Sequence, residues 1–256
     1  MTFKQTMTTR LEDFSVELFC EIFTYFQLHE IWNIFSSLNS RLNGIIENFP
    51  FKFVYLGFDG MNIEVTDFYY KYLSQANISA RLTSLCVSDA ISIDNGLWFA
   101  EHGSTLINLR HLSLIDIRRS TFELILSSLS PINSITMFSV NFFAHDRAAC
   151  TFRGVPEGAY HERIFHLFPS LRVCHLYFRR HIHYTVASPF VLPLNEVFMP
   201  IHSSLFNLRS LAISHCSLSF LSHLFEHLPQ LEQFSGLMSY THWLPPDHPP
   251  VFKSDK

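Results

Sequence analysis

The sequence predicts a mixed α/β chain: a small unit of three helices, then a solenoid in which short parallel strands alternate with helices. Three observations predict it. Helical apolar periodicity runs through residues 15–49, a leucine phrase recurs through the remainder, and bulky core-forming residues are in excess. Of the 256 residues, 48% are hydrophobic and only 16% are charged, against roughly 25% charged in an average domain. With 27 phenylalanines and 8 glycines, the chain has much side chain to bury and little backbone suited to approaching phosphates. An enzyme built on glycine-rich loops is therefore disfavoured.

The helical unit is read first. Val16, Phe19, Ile22, Phe23 and Phe26 recur at steps of three and four, one face of a helix, with Ser15 or the pair Thr9 and Glu12 as its cap. A second helical pattern runs through Leu28, Ile31, Trp32 and Phe35. A third takes in Leu38, Leu42, Ile45, Ile46 and Phe49, and Pro50 stops it. Three short helices carry more apolar face than they can bury among themselves, so the unit is expected to pack on its own chain or on a partner.

The solenoid is read from a repeated phrase. Leu106-x-x-Leu109-x-x-Leu112-x-Leu114 and Leu205-x-x-Leu208-x-x-Leu211-x-Ile213 match, each with Asn-Leu-Arg ahead of its strand-like part. Weaker copies are Leu82-x-x-Leu85-x-Val87, Leu129-x-x-Ile132-x-x-Ile135-x-Met137, Leu171-x-x-Cys174-x-Leu176 and Leu228-x-x-Leu231-x-x-Phe234. Taking Leu82, Leu109, Ile132, Leu171, Leu208 and Leu231 as equivalents gives steps of 27, 23, 39, 37 and 23 residues. Each phrase encodes a strand with alternating inward residues, a turn and a helical return, such as Ser120 to Leu129 and Leu218 to Leu228. The two long steps hold Phe142 to Tyr160 and His181 to Ser203, whose glycines and prolines mark surface loops. A competing reading treats these as unrelated amphipathic segments of a phenylalanine-rich α/β domain.

In order and spacing, Phe14-Ser15-Val16-Glu17-Leu18, Ile22-Phe23-Thr24-Tyr25-Phe26, Glu30-Ile31 and Ser37-Leu38-Asn39-Ser40-Arg41-Leu42 resemble an F-box. That family opens Leu-Pro-x-Glu-Leu, continues Ile-Phe-x-Tyr-Leu, places an acidic residue before a second apolar pair and ends in a polar, basic stretch. The chain departs from it at Ser15, where proline is usual, and at Glu30, where aspartate is commoner. The phrases beyond resemble the irregular leucine-rich-repeat arrays that often follow an F-box; their steps of 27, 23 and 23 residues fall in the roughly 20–29-residue range of that repeat. Of the Asn/Cys ladder of regular repeats, Cys216 alone is present.

The resemblance divides the chain into an F-box at 9–50, a leucine-rich-repeat-like array at 51–240 with loop insertions near 142–160 and 181–203, and a proline-rich tail at 241–256. It implies a substrate-recognition adaptor of an SCF-type cullin-RING ubiquitin ligase, serving protein ubiquitination and proteasomal degradation. A Skp-type adaptor would dock on Phe14, Leu18, Ile22 and Phe23 of the first helix and Ile31 of the second, with Glu17 positioning the first helix. The array would offer a concave sheet to an unknown target, with Arg110, His111, Ser113, Arg209, Ser210 and Ala212 at exposed strand positions. The alternative is an interaction scaffold whose N-terminal helices only cap the solenoid, which would bury Leu18 and Ile22 within the chain.

Other patterns bound the function further. A net charge of -4 supplies no field to hold nucleic acid or anionic lipid. Cys20, Cys86, Cys150, Cys174 and Cys216 are scattered and odd in number, and the first ten residues lack the apolar core of a secretory signal, so reduced thiols and a cytoplasmic or nuclear location are expected. Leu124 to Ala144 is uncharged but holds Pro131 and eight Ser, Thr and Asn residues, which argues against a membrane span. His223 and His227 lie one helical turn apart, as zinc ligands do, but no third ligand follows at a telling spacing, so neither metal nor cofactor is expected. In His161-Glu162-Arg163-Ile164-Phe165-His166 the second histidine comes one residue late for a metalloprotease helix. No nucleophile elbow, Walker loop, dinucleotide fingerprint or kinase signature is found, so no catalytic residues are assigned. Arg163, Arg172, Arg179 and Arg180 make the one locally basic segment, read either as a solvated strand edge and loop or as a site for an acidic or phosphorylated partner.

Overall fold

The structure is a computed structural model that describes residues 11–49, 53–59, 61–90, 95–129, 134–141, 159–177, 205–216 and 218–238. Three helices open it: α1 (Val16–Phe23), α2 (Leu28–Phe35) and α3 (Ser40–Asn48). Strand and helix then alternate through β1 (Val54–Leu56), α4 (Ile63–Leu73), α5 (Ala76–Ser79), β2 (Ser84–Ser88), α6 (Asn95–His102), β3 (His111–Ile115) and α7 (Arg119–Ser128). The chain continues through β4 (Met137–Asn141), α8 (Ala159–Leu167), β5 (Val173–Tyr177), β6 (Ser210–Cys216), α9 (Leu218–Glu226) and β7 (Gln233–Met238).

The strands form one seven-stranded sheet in the order β1 to β7, every neighbouring pair parallel. A doubly wound sheet reverses its order at a switch point, whereas this one adds each strand beside the last, the solenoid arrangement in which a repeat touches its neighbours. Two rows of inward side chains run across it. Val54, Leu85, Leu112, Phe138, Cys174 and Leu211 make one; Leu56, Val87, Leu114, Val140, Leu176 and Ile213 make the other, and all twelve are at most 1% exposed. The helices carry the other half of this core in Phe99, Phe122, Ile125, Ile164, Phe165 and Leu224.

Two details depart from the sequence expectation. In the third copy Leu112 pairs with Phe138, so Ile135, not Ile132, is the equivalent of Leu109. The reason is alternation: Phe138 and Val140 are the buried pair, while Met137 points to the opposite face and is half-buried. β1 is the second departure. Its three residues lack the leucine phrase, yet Val54 and Leu56 continue both inward rows.

Ala159 and Tyr160 lie in α8, so helix replaces the last two residues of the first expected loop; positions 142–158 and 181–203, with the tail at 241–256, lie outside the described residues. The uncharged stretch from Leu124 splits between α7 and β4, and among the described residues no helix is long and apolar enough to cross a membrane. Cys86 and Cys174 are buried free thiols and Cys20 is half-buried. Burial pushes the Cys86 thiol up to about 11 and the Cys174 thiol higher still.

A buried polar stitch joins the first repeats. Asn95, fully buried at the start of α6, donates to the Ser88 carbonyl at 2.8 Å and accepts from the Tyr70 hydroxyl at 2.8 Å. The turn after β1 passes so close that a Cβ on Gly57, at φ +82°, would meet the Ser88 carbonyl oxygen at 2.1 Å.

Candidate functional site

Two surfaces stand out, one on the helical unit and one along the sheet. In the helical unit each helix start is built by a local cap. Ser15 accepts from the Leu18 N–H at 3.3 Å, so the hydroxyl supplies an N-terminal stop at the position where proline was expected. The Glu30 carboxylate accepts from the Gln27 N–H at 2.7 Å, which gives the acidic residue of the second helix a structural reason. Asn39 accepts from the Leu42 N–H at 2.9 Å, and the Arg41 guanidinium donates to the Phe14 carbonyl at 2.8 Å, tying α3 back to the entry of α1.

Phe23 is the hub of the unit's interior, with ring centroids 6.0 Å from Phe19, 5.2 Å from Phe35 and 5.4 Å from Phe49. α2 then joins the unit to the array: Trp32 packs on Tyr72 and Phe68 of α4, and His29 hydrogen-bonds the Tyr69 hydroxyl at 3.1 Å.

These contacts sort the expected docking residues. Leu18 and Glu17 are exposed, while Phe14 and Ile22 are half-buried against the core. Phe23 and Ile31 are a correction: each is 1% exposed, because the aromatic cluster and the α2 packing claim both side chains, so neither offers docking surface. Glu17 is held below the usual carboxylate range by its own backbone N–H and by the Ser15 hydroxyl, which fastens it to the first turn of α1. The F-box resemblance does not assign to docking the remaining exposed apolar set: Leu11, Val16, Tyr25, Phe26, Ile34 and Leu38. Together with Leu18 these are seven of the fifteen large apolar side chains exposed among the described residues, concentrated in residues 11–38. A period-based reading assigns such residues to a core, and only packing shows which face is left over.

Along the sheet, one backbone rung repeats at the strand starts. The Thr83 carbonyl accepts from the N–H groups of Arg110 and His111, that of Arg110 from Thr136 and Met137, and that of Thr136 from Arg172 and Val173. The Arg172 carbonyl takes Arg209 and Ser210, and that of Arg209 takes Glu232 and Gln233. Thr83, Arg110, Thr136, Arg172, Arg209 and Glu232 therefore form a single row, with exposed arginines at three of its six places. Neighbouring strands lie about 4.8 Å apart, so Arg172 and Arg209 are adjacent and Arg110 stands two strands away across Thr136.

Arg209 binds Glu232 at 2.8 Å and Gln230 at 3.0 Å, whereas Arg110 and Arg172 form no ion pair among the described residues. Leu109-Arg110, Leu171-Arg172 and Leu208-Arg209 share one dipeptide, the signal that would have shown this row in the sequence. Arg179 and Arg180 lie outside the described residues. His111 is exposed and Ser113 and Ser210 are half-buried, but Ala212 is a correction at 4% exposure.

His161 packs on Phe220 and Phe165, with centroids 5.0 and 6.4 Å away, as a histidine bordering an aromatic core does. No family model matches this chain, and no curated protein matches it.

Proposed function

We propose that this chain is a substrate-recognition adaptor of an SCF-type cullin-RING ubiquitin ligase, with an F-box at its N-terminus and a leucine-rich-repeat-like array behind it. The observation that carries the reading is an apolar surface left over on a helical unit whose own core is already filled. Val16, Leu18, Tyr25 and Ile34 stay exposed while Phe19, Phe23, Leu28, Ile31 and Phe35 fill the interior. Exposed apolar residues gathered on one small unit are the ordinary mark of a partner site, and amphipathic helices are a common way to fill a partner's groove. The order of residues from Phe14 to Leu42 supports a Skp-type adaptor as that partner, with Leu18 as the central anchor and Phe14, Glu17 and Ile22 beside it. The array then presents Arg110, Arg172 and Arg209 to the target, and guanidinium groups in a row favour an acidic or phosphorylated segment. The chain itself does no chemistry in this role.

The second reading, a scaffold whose helices cap the solenoid, is favoured by the packing of Trp32 on α4. It expects Leu18 and Ile22 inside the chain; Ile22 is half-buried against the core and Leu18 is 39% exposed. The test is co-expression with a Skp-type adaptor, wild type beside Leu18→Asp, with folding followed by circular dichroism. The expected outcome is co-purification of wild type and loss by a folded variant. A folded wild type that fails to co-purify leaves the scaffold.

A further inference from the structure

Three side chains converge at the end of α9. His223, Glu226 and His227 each bring one ligand atom within 4.8 Å of the others, and no other group of three His, Cys, Asp or Glu residues among those described comes so close. We propose that this turn binds a divalent first-row transition ion, zinc above all, through two imidazoles and one carboxylate. The proposal is independent of the ligase reading.

The sequence spacing explains the convergence. Positions i, i+3 and i+4 share one face of a helix, and Glu226 supplies the third ligand that the His223–His227 spacing lacked when read as a pair. The His223 Nδ1 and the nearer Glu226 oxygen are 3.8 Å apart, and the two imidazole centroids are 5.0 Å apart. A tetrahedral zinc with ligands at about 2.0–2.1 Å holds its donor atoms about 3.3 Å from one another, so side-chain rotation alone closes the site. Two imidazoles and a carboxylate are three protein ligands for zinc, leaving the fourth position for water or another donor. Calcium and magnesium prefer all-oxygen ligand sets, which this turn does not offer.

The backbone beneath the ligands is held in place. Leu224 and Leu228 are 0% and 5% exposed, the His227 N–H donates to the Leu224 carbonyl at 3.0 Å, and the His227 carbonyl accepts from the Leu205 N–H at 3.2 Å. Phe225 packs edge-on against Phe234 of β7, with centroids 5.0 Å apart, so the turn is also tied to the last strand. A cation here sits at the C-terminal end of α9, where the helix dipole favours positive charge. Its consequence would be to stiffen the last turn of α9, since all three ligands belong to that turn.

The experiment is titration of zinc into the purified full chain against a chromophoric chelator, together with the visible spectrum of the cobalt-loaded protein. One ion per chain is expected, weakened by at least about tenfold in H227A and in H223A/H227A and by less in E226Q. The cobalt spectrum is expected to lack thiolate charge-transfer bands. H227A removes a partly exposed side chain, so it reports on the site should the double variant fail to fold. The proposal is overturned by absence of zinc binding to wild type, by undiminished binding in folded H227A, or by thiolate bands, which would place the ion on cysteine.

Discussion

Leu18 and Phe23 lie five residues apart on one helix with opposite surroundings, since Leu18 is 39% exposed while Phe23 is 1% exposed among Phe19, Phe35 and Phe49. The same distinction decides what a mutation at either site reports. Phe23→Ala removes a buried ring from the centre of the unit and is expected to cost about 3–5 kcal/mol in urea unfolding. Leu18→Ala is expected to change stability by no more than about 0.5 kcal/mol. Equal losses at the two positions would refute the assignment of inside and outside on α1. Periodicity placed Phe23 on the apolar stripe of the first helix and left Leu18 off it, while the F-box resemblance named both as docking residues; five positions are about 140° apart on a helix, so one faces the core and the other solvent.

At the scale of elements, the repeats are joined by polar as well as apolar contacts. Asn95 links α6 to the carbonyl at the end of β2 and to the α4 hydroxyl of Tyr70, at full burial. Replacing it with alanine leaves the buried Ser88 carbonyl without that partner, a cost of about 1–3 kcal/mol, and also removes the bond to the half-buried Tyr70 hydroxyl. Asn95→Ala is therefore expected to lower the urea midpoint clearly and to raise amide exchange in β2 and α6 ahead of β5. Uniform exchange across the sheet would argue that Asn95 does not stitch these repeats. Nothing in the leucine phrase announces this residue, since its partners are 7 and 25 positions away.

Across the whole molecule the register of seven strands produces a surface that no single segment contains. Arg110, Arg172 and Arg209 come from three repeats and fall in one row because each rung repeats the same backbone pattern. The double reversal Arg110→Glu and Arg172→Glu is expected to weaken binding of a phosphoserine- or glutamate-rich peptide at least about tenfold by fluorescence anisotropy, with folding unchanged. Equal binding by the reversed chain would remove this row from target recognition.

Titration acts on the same scale. His29 and His175 are held below their ordinary value of 6.5, chiefly by burial. Below about that pH the unfolded chain takes up protons that the folded chain refuses, so their contribution is full above 6.5 and falls as pH drops toward the folded values. The urea midpoint is expected to be lower at pH 5.5 than at pH 7.5, with a shallower difference in His29→Gln and in His175→Gln. A midpoint that rises on acidification through this window would contradict the burial of both imidazoles.

By itself the sequence determined the helical unit, the alternation of strand and helix, and five of the six repeat positions assigned from the leucine phrase, because these depend on local periodicity and on apolar spacing within one segment. The third repeat slipped by three residues since Ile132, Ile135 and Phe138 all fit an apolar phrase, and pairing with β3 alone selects which of them faces inward. The tertiary structure also decided which apolar residues of α1 and α2 stay outside, where Asn95 finds its partners, and that three arginines from separate repeats form a row. These are long-range facts: they depend on which surfaces remain after packing and on the register between strands far apart in the chain.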